Sequence, residues 1–338
     1  MMMRDFIYKF KKNRLAYYSF ILLSIIFIFS LFAEFIANDK PIFVYKDSRF
    51  YFPIFYNYSE VDFGGEFLNH IDYSDPYFKE LTKDSIVIFP PIPYSYDTII
   101  YDLASPPPLS PNTSHLLGSD DQGRDLLARL IYGVRISLLF GFISSLFSIV
   151  LGVCFGAICG YYGGKIDLLT QRFIEIWTSI PILFLIIILS SFIKPTFFII
   201  LLFVVLFSWM GLALLVRAEF LRIRNFDYIK ASKALGVSDF GIIFRHILPN
   251  ALISVTTYFP FIVALSIATL ISLDFLGFGL PPDYSSIGEI LNQGKNNLNF
   301  PHIGITGFIA LSIILSLLVF VGDGIRNSID NRAKVING

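Results

Sequence analysis

Four groups of residues in this 338-residue chain have types or spacing that could do chemistry. Asp120, Asp121 and Asp125 would suit acid–base work or a metal ion, but no histidine, serine or further ligand accompanies them at a useful spacing. They are better read as helix caps: Asp120 or Asp121 before an interfacial helix whose apolar face is Leu126, Leu127, Leu130 and Ile131. The two cysteines, Cys154 and Cys159, lie in one apolar run. On a helix they stand about 140° apart and cannot bridge each other. His70, His115, His246 and His302 are scattered and form no metal-ligand spacing. Gly164-Lys165 comes nearest to a phosphate loop, but Cys159 stands where the first glycine belongs and Ile166 where the Ser or Thr belongs. The residues therefore assign no catalytic group, no metal ligand and no cofactor site. Any ATP hydrolysis must occur in a separate subunit.

The elements that position such residues follow from composition. Hydrophobic residues make up 55% of the chain and charged residues 15%, against roughly 25% charged in a soluble domain. Mean hydropathy is +0.67. Disorder is excluded, and a formal net charge of zero excludes a polybasic nucleic-acid binder. An integral membrane protein in a lipid bilayer is what remains. Six long intervals lack charge: Arg14 to Glu34, Arg135 to Lys165, Glu175 to Lys194, Lys194 to Arg217, Arg245 to Asp274 and Lys295 to Asp323. Each can supply a helix of the roughly 20 residues that a span needs. All six are read as free of charge in their interiors. The expected fold is all-α and polytopic, with six transmembrane helices.

Arg4, Lys9, Lys11, Lys12 and Arg14 against a lone Asp5 place the N-terminus in the cytoplasm. Six crossings return the C-terminus, with Arg326, Arg332 and Lys334, to the same side. The resulting organisation is residues 1–14 cytoplasmic, 15–37 first span, 38–135 a roughly hundred-residue extracytoplasmic region, 136–322 a core of five spans including a loop at 217–250, and 323–338 a cytoplasmic tail. With this assignment the inner segments are net positive and the outer ones equally negative. Tyr51–Tyr56 and Tyr73–Tyr77 predict short strands and turns in the outer region, either a cap on the helix ends or a docking surface. Asp274–Asp283, rich in Gly and Pro, predicts a turn or a gate, followed by one amphipathic turn at Ile287–Asn292.

The loop at 217–250 carries the most information. Asn225 or Asp227 can cap a helix over Tyr228–Leu235, Gly236 can stop it, and Ser238 or Asp239 can cap a second helix that Pro249 ends. Small Ala231, Ser232 and Ala234 leave room for a close partner, so two capped helices here point to a moving cytoplasmic subunit. Tyr228-Ile-Lys-Ala-Ser-Lys-Ala-Leu-Gly236, nine residues, then His246-Ile-Leu-Pro249 resembles the Glu-Ala-Ala loop of binding-protein-dependent ABC importer permeases. Lys230 stands in the Glu position, Ser232 in that of the second Ala and His246 in that of Ile; Gly236, Leu248 and Pro249 match.

Leu117–Asp125 with Gly133–Ser137, Gly160–Asp167 and Leu273–Pro281 are similar to the C-type permeases of the dipeptide, oligopeptide and nickel group. Phe32–Pro41 and the enlarged outer region look like the subgroup linked to microcin C-type peptides. The resemblance implies one half of a transmembrane pathway for peptide in the bacterial inner membrane. It implies as partners a second permease, one or two ABC ATPase subunits and an extracytoplasmic solute-binding protein. It places the ATPase contact on Tyr228, Lys230, Ala231, Ser232, Gly236, Ser238, Leu248 and Pro249. Ala231 and Gly236 are expected to be small for steric reasons. A secondary transporter would instead carry charge inside its spans, a sensor a larger cytoplasmic output domain, and an intramembrane enzyme a polar constellation.

Overall fold

A computed structural model describes residues 2–101 and 105–330 of the chain; Arg332 and Lys334 lie outside them. In chain order the helices are α1 (Met2–Lys12), α2 (Arg14–Leu31), α3 (Ala33–Ile36), α4 (Pro76–Leu81), α5 (Leu126–Tyr162), α6 (Gly164–Thr178), α7 (Ile182–Ser190), α8 (Phe197–Ile223), α9 (Asp227–Ala234), α10 (Asp239–Gly241), α11 (Leu248–Phe275), α12 (Ile287–Asn296) and α13 (Pro301–Asp330). Strands β1 (Phe43–Lys46) and β2 (Arg49–Tyr51) precede α4, and β3 (Ile86–Ile88) follows it. Among the described residues five helices are long and apolar enough to cross a membrane: α2, α5, α8, the run Asp239–Phe275, and α13. The pair α6–α7, bent by 61°, makes a sixth if it is one broken span.

The chain forms two compact units. The first holds the described residues of Met1–Ile25, Ser137–Pro281 and Leu311–Gly338. Its framework is the packing of α5 against α8. A Cβ on Gly156 would stand 2.5 Å from the Ala213 carbonyl oxygen, and one on Gly160 2.5 Å from Cβ of Phe220. Without side chains at these positions the two helices come into backbone contact, as small residues allow in membranes. α5 has 37 residues, about 55 Å of helix at 1.5 Å per residue. It therefore outruns the roughly 30 Å hydrocarbon core of a bilayer.

The third span differs from expectation. The charge-free interval 176–193 is not one helix; it contains the break between α6 and α7. Pro181 cannot donate a backbone hydrogen bond and disfavours helical geometry in the residue before it. Thr178 Oγ1 and Ser179 Oγ donate back to the carbonyls of Ile174 and Glu175, each at 2.7 Å. Arg217, the residue that bounds the fourth charge-free interval, lies within α8 and is bound by Asp167 of α6.

The second unit holds Ile26–Ile136 and Pro282–Ala310. Short strands form, but mostly outside the expected stretches: of Tyr51–Tyr56 only Tyr51 is in a strand and Tyr73–Tyr77 leads into α4, while β1, β2 and β3 make an antiparallel sheet ordered β2-β1-β3. Asp47 and Ser48, with φ of 50° and 61°, close the β1–β2 hairpin. Positive φ at both central residues of a two-residue turn matches the strand twist. Val44, Phe63, Ile71, Tyr73 and Phe78 form the small core beneath the sheet.

No separate interfacial helix precedes α5. The acidic run is consumed differently: Asp125 caps α5 itself, its Oδ1 accepting the Ala128 amide at 2.9 Å. Its other oxygen meets His115 Nδ1 at 2.9 Å. Asp120 accepts from Arg124 Nε at 2.7 Å, and Arg129 Nε lies 3.3 Å from the same carboxylate. Arg129 Nη2 then donates to Glu289 of α12 at 2.5 Å. Burial and the neighbouring Asp120 carboxylate raise the Asp121 pKa. The expected single turn at Ile287–Asn292 is a ten-residue helix, capped by Ser286. Its Ile290 packs with Leu126 and Ile303. The Asp120–Arg129 segment thus fastens α12 onto the start of α5.

Candidate functional site: the α9–α10 hairpin

The loop after α8 folds as a helix–Gly–helix hairpin, as its sequence predicts, but with different caps. Phe226 occupies the N-cap of α9 and makes no side-chain cap bond. Asn225 instead donates to the Leu221 carbonyl at 2.9 Å, and Asp227 lies 3.6 Å from Lys230. The stop is a Schellman motif: the Val237 amide donates to the Ser232 carbonyl at 3.1 Å and the Gly236 amide to that of Lys233 at 3.0 Å. Gly236 has φ +81° and open space where a Cβ would stand. Backbone conformation, and not close packing, demands glycine here. Ser238 caps the second helix, its Oγ accepting the Gly241 amide at 3.3 Å.

Pro249 does not end that helix. α10 passes through a π-helical turn, Ile242–Ile247, into α11, so Asp239–Phe275 is continuous. Pro249 offers no amide and its ring would strike the carbonyl four residues back; the wider π turn relieves both problems. Leu248 packs against the core at this point, while Pro249 is exposed.

Ile229, Ile242 and Ile247 are buried in one core with Ala157 of α5, Phe220 and Ile223 of α8, and Ala251 of α11. The outer face stays open. Tyr228, Lys230 and Ala231 are exposed, and Ser232 is half-buried with its Oγ bonded to the Tyr228 carbonyl at 2.8 Å. Leu235, Phe240 and Phe244 are 85%, 70% and 52% exposed. Phe240 and Phe244 stack at 4.2 Å between centroids. Adjacent exposed apolar side chains of this size mark an interaction surface.

Four residues absent from the sequence prediction tie this hairpin to the helices. Arg224 Nη1 donates to the carbonyls of Gly160 at 3.1 Å and Tyr161 at 3.0 Å, the last open acceptors of α5. Tyr161 donates to Asp239 at 2.5 Å. Arg217 grips Asp167 with two donors, Nη2 to Oδ2 at 2.7 Å and Nε to Oδ1. Arg224 and the Tyr161–Asp239 bond therefore hold the two ends of the hairpin to α5, while the Arg217–Asp167 pair ties α8 to α6. Basic residues near the end of α8 and the lone Asp167 early in α6 were the available signals, but pairing them needs the helix packing. Among the described residues no group of three or more His, Cys, Asp or Glu could hold a metal ion, and both cysteines are free.

Residues 152–335 match the family described as binding-protein-dependent transport system inner membrane component. Residues 2–64 match the N-terminal TM domain of oligopeptide transport permease C. The chain is 51% identical over 328 residues to the inner membrane ABC transporter permease protein YejE of Escherichia coli, covering 97% of this chain and 96% of that one. It is 46% identical to the peptidoglycan transport system permease protein YejE of Agrobacterium fabrum, with 96% and 91% covered. It is 36% identical to the oligopeptide transport system permease protein OppC of Haemophilus influenzae, with 72% and 78% covered. One chain of an inward-facing MetNI methionine ABC transporter superposes with a TM-score of 0.51 at 20% identity, over 60% of this chain and 97% of that one, which is a likeness of fold. These matches set aside the secondary-transporter, sensor and intramembrane-enzyme alternatives. The chain belongs to the binding-protein-dependent transport system inner membrane components: it is a multi-pass permease subunit of a bacterial ABC importer, a transport component and not an enzyme.

Proposed function

We propose that this permease forms half of an inner-membrane pathway for peptides and that the α9–α10 hairpin is its ATPase contact. The exposed apolar face of the hairpin carries the proposal. Leu235, Phe240 and Phe244 are exposed on a hairpin whose buried side, Ile229 and Ile242, packs among α5, α8 and α11. Such a surface is costly to leave uncovered, and a groove on an ATPase subunit would cover it. Tyr228, Lys230, Ala231, Ser232, Gly236 and Ser238 lie on this hairpin, and Leu248 and Pro249 begin the span that follows it. The Lys230–Asp227 pair is fully exposed on one side and adds little stability, so Lys230 is free to meet an acidic partner.

In this reading six spans place both termini and the hairpin in the cytoplasm, with the β1–β3 region outside. A second permease completes the pathway, and an external binding protein delivers cargo. Peptide is the cargo class that fits the relatives named for oligopeptide, dipeptide and peptidoglycan transport. ATP-driven closure of the ATPases would press on α9, and the Arg224 and Tyr161 contacts would pass that motion to α5.

Cysteine crosslinking tests the contact. With cysteine at Ala231 or Ser232 in the assembled transporter, a product with the ATPase subunit is expected, its yield changing with nucleotide. No product in any nucleotide state overturns the assignment.

A further inference from the structure

The first compact unit contains a cavity of about 400 Å³ bordered by α1, α2, α5, α11 and α13. It is separate from the hairpin. Phe6 and Phe10 of α1, Phe20 of α2, Phe142 of α5 and Phe259 of α11 are in its wall. Among the described residues Lys11 is the one charged residue lining it, with its Nζ 6.0 Å from the centroid of the Tyr17 ring. The volume falls within the roughly 300–1,000 Å³ of small-molecule pockets. An apolar cavity does not hold water stably, since water there would lose its hydrogen bonds.

Two observations identify the occupant. α1 is amphipathic: Phe6 and Phe10 face the cavity while Lys9, Lys11 and Lys12 gather in its last turn. Lys11, Lys12 and the following Arg14 are exposed. An apolar chamber with a cationic rim, on a helix that begins a membrane span, complements a molecule with a long hydrocarbon chain and an anionic head. A polybasic stretch beside a span attracts anionic lipid in this way. The α1–α2 junction is also well fixed. Asn13 Oδ1 accepts the Ala16 amide at 3.3 Å, and a Cβ on Gly324 of α13 would lie 2.1 Å from that of Ala16. The rim is thus held in place beside the cavity.

We infer that this cavity holds one acyl chain of an anionic phospholipid, with its phosphate gripped by the lysines that end α1. The lipid would fasten α1 to the bundle, filling space left open by the described side chains.

Native mass spectrometry of the purified full chain, with dioleoyl phosphatidylglycerol or dioleoyl phosphatidylcholine added, tests this. The phosphatidylglycerol adduct is expected to survive activation that strips phosphatidylcholine. Lys11→Gln and Lys12→Gln should each weaken phosphatidylglycerol binding about fivefold, the effect of one basic residue at an anionic surface. Thr256→Trp, at an exposed position lining the cavity, should weaken both lipids and leave their ratio unchanged. Equal retention of the two lipids by the wild type, or full retention by Thr256→Trp, overturns the proposal. So does loss of the adduct on assembly with the second permease, which would assign the cavity to a protein segment.

Discussion

The Tyr161 hydroxyl, at the end of α5, donates a 2.5 Å hydrogen bond to Asp239, the first residue of α10. Seventy-eight residues separate them, and the bond links α5 directly to the hairpin assigned to the ATPase. Because Asp239 is exposed, the bond competes with water and is worth about 1 kcal/mol. Such a value can bias a conformational equilibrium without controlling folding.

Tyr161→Phe and Asp239→Asn should therefore leave membrane levels and assembly intact while loosening coupling. In proteoliposomes the ratio of peptide imported to ATP hydrolysed is expected to fall several-fold in either variant. The double variant should be no worse than the worse single, since both remove one bond. A ratio equal to that of the wild type would show that the bond carries no motion.

Gly236 separates conformation from contact. No atom lies within 4 Å of a Cβ built there, and its φ is +81°. Gly236→Ala should cost about 1–2 kcal/mol through the left-handed backbone alone, and Gly236→Val more. Gly236→Asn should retain most uptake, because asparagine tolerates this conformation. Immunoblots of membranes with peptide-dependent growth check the order Gly, Asn, Ala, Val. Asparagine as damaging as valine would instead point to a contact requiring no side chain at all.

The buried network of the second unit makes a prediction about stability. Arg129→Met would remove one of the two cations that Asp120 and Glu289 share and leave only Arg124, 2.6 Å from Asp120 and 3.8 Å from Glu289, at a cost of up to about 3–5 kcal/mol. Glu289→Gln should be much milder. Burial, opposed by Arg129, holds the Glu289 carboxyl above its ordinary value of 4.5. A raised pKa means that the folded state binds this proton more tightly than the unfolded state does. Its stabilisation is thus complete below 4.5 and is lost as pH rises through the raised value. Thermal unfolding in detergent across that window should show the wild type gaining on Glu289→Gln as pH falls. Parallel curves would count against the assignment.

Much of this was readable locally. The Gly236 stop and the Ser238 cap depend on a few consecutive residues, so chain identity alone dictates them. The strand positions were not: Tyr51–Tyr56 and Tyr73–Tyr77 suggested them, whereas the sheet uses Phe43–Lys46, Arg49–Tyr51 and Ile86–Ile88, because strands are chosen by their pairing partners. Caps with several candidates were not. Asp120, Asp121 and Asp125 could each cap a helix, and the buried Arg124 and Arg129 decided between them by drawing Asp120 away. Pro249 looked like a helix end because proline breaks α-helical bonding; the π turn at Ile242–Ile247 is a second solution that the residue types do not distinguish.

By itself the sequence determined that the chain lives in a bilayer, which segments are apolar enough to cross it, and that a capped hairpin interrupts them. Those properties are sums of side-chain transfer energies and short-range backbone preferences. Only the tertiary structure decided that Arg217 meets Asp167, fifty residues away, and that Arg129 meets Glu289, 160 residues away. Any arginine can pair with any carboxylate, and the choice is made by which helices lie against each other. Here the bare faces of Gly156 and Gly160 bring α5 onto α8, and Ile229 follows them into the core to set the hairpin in place.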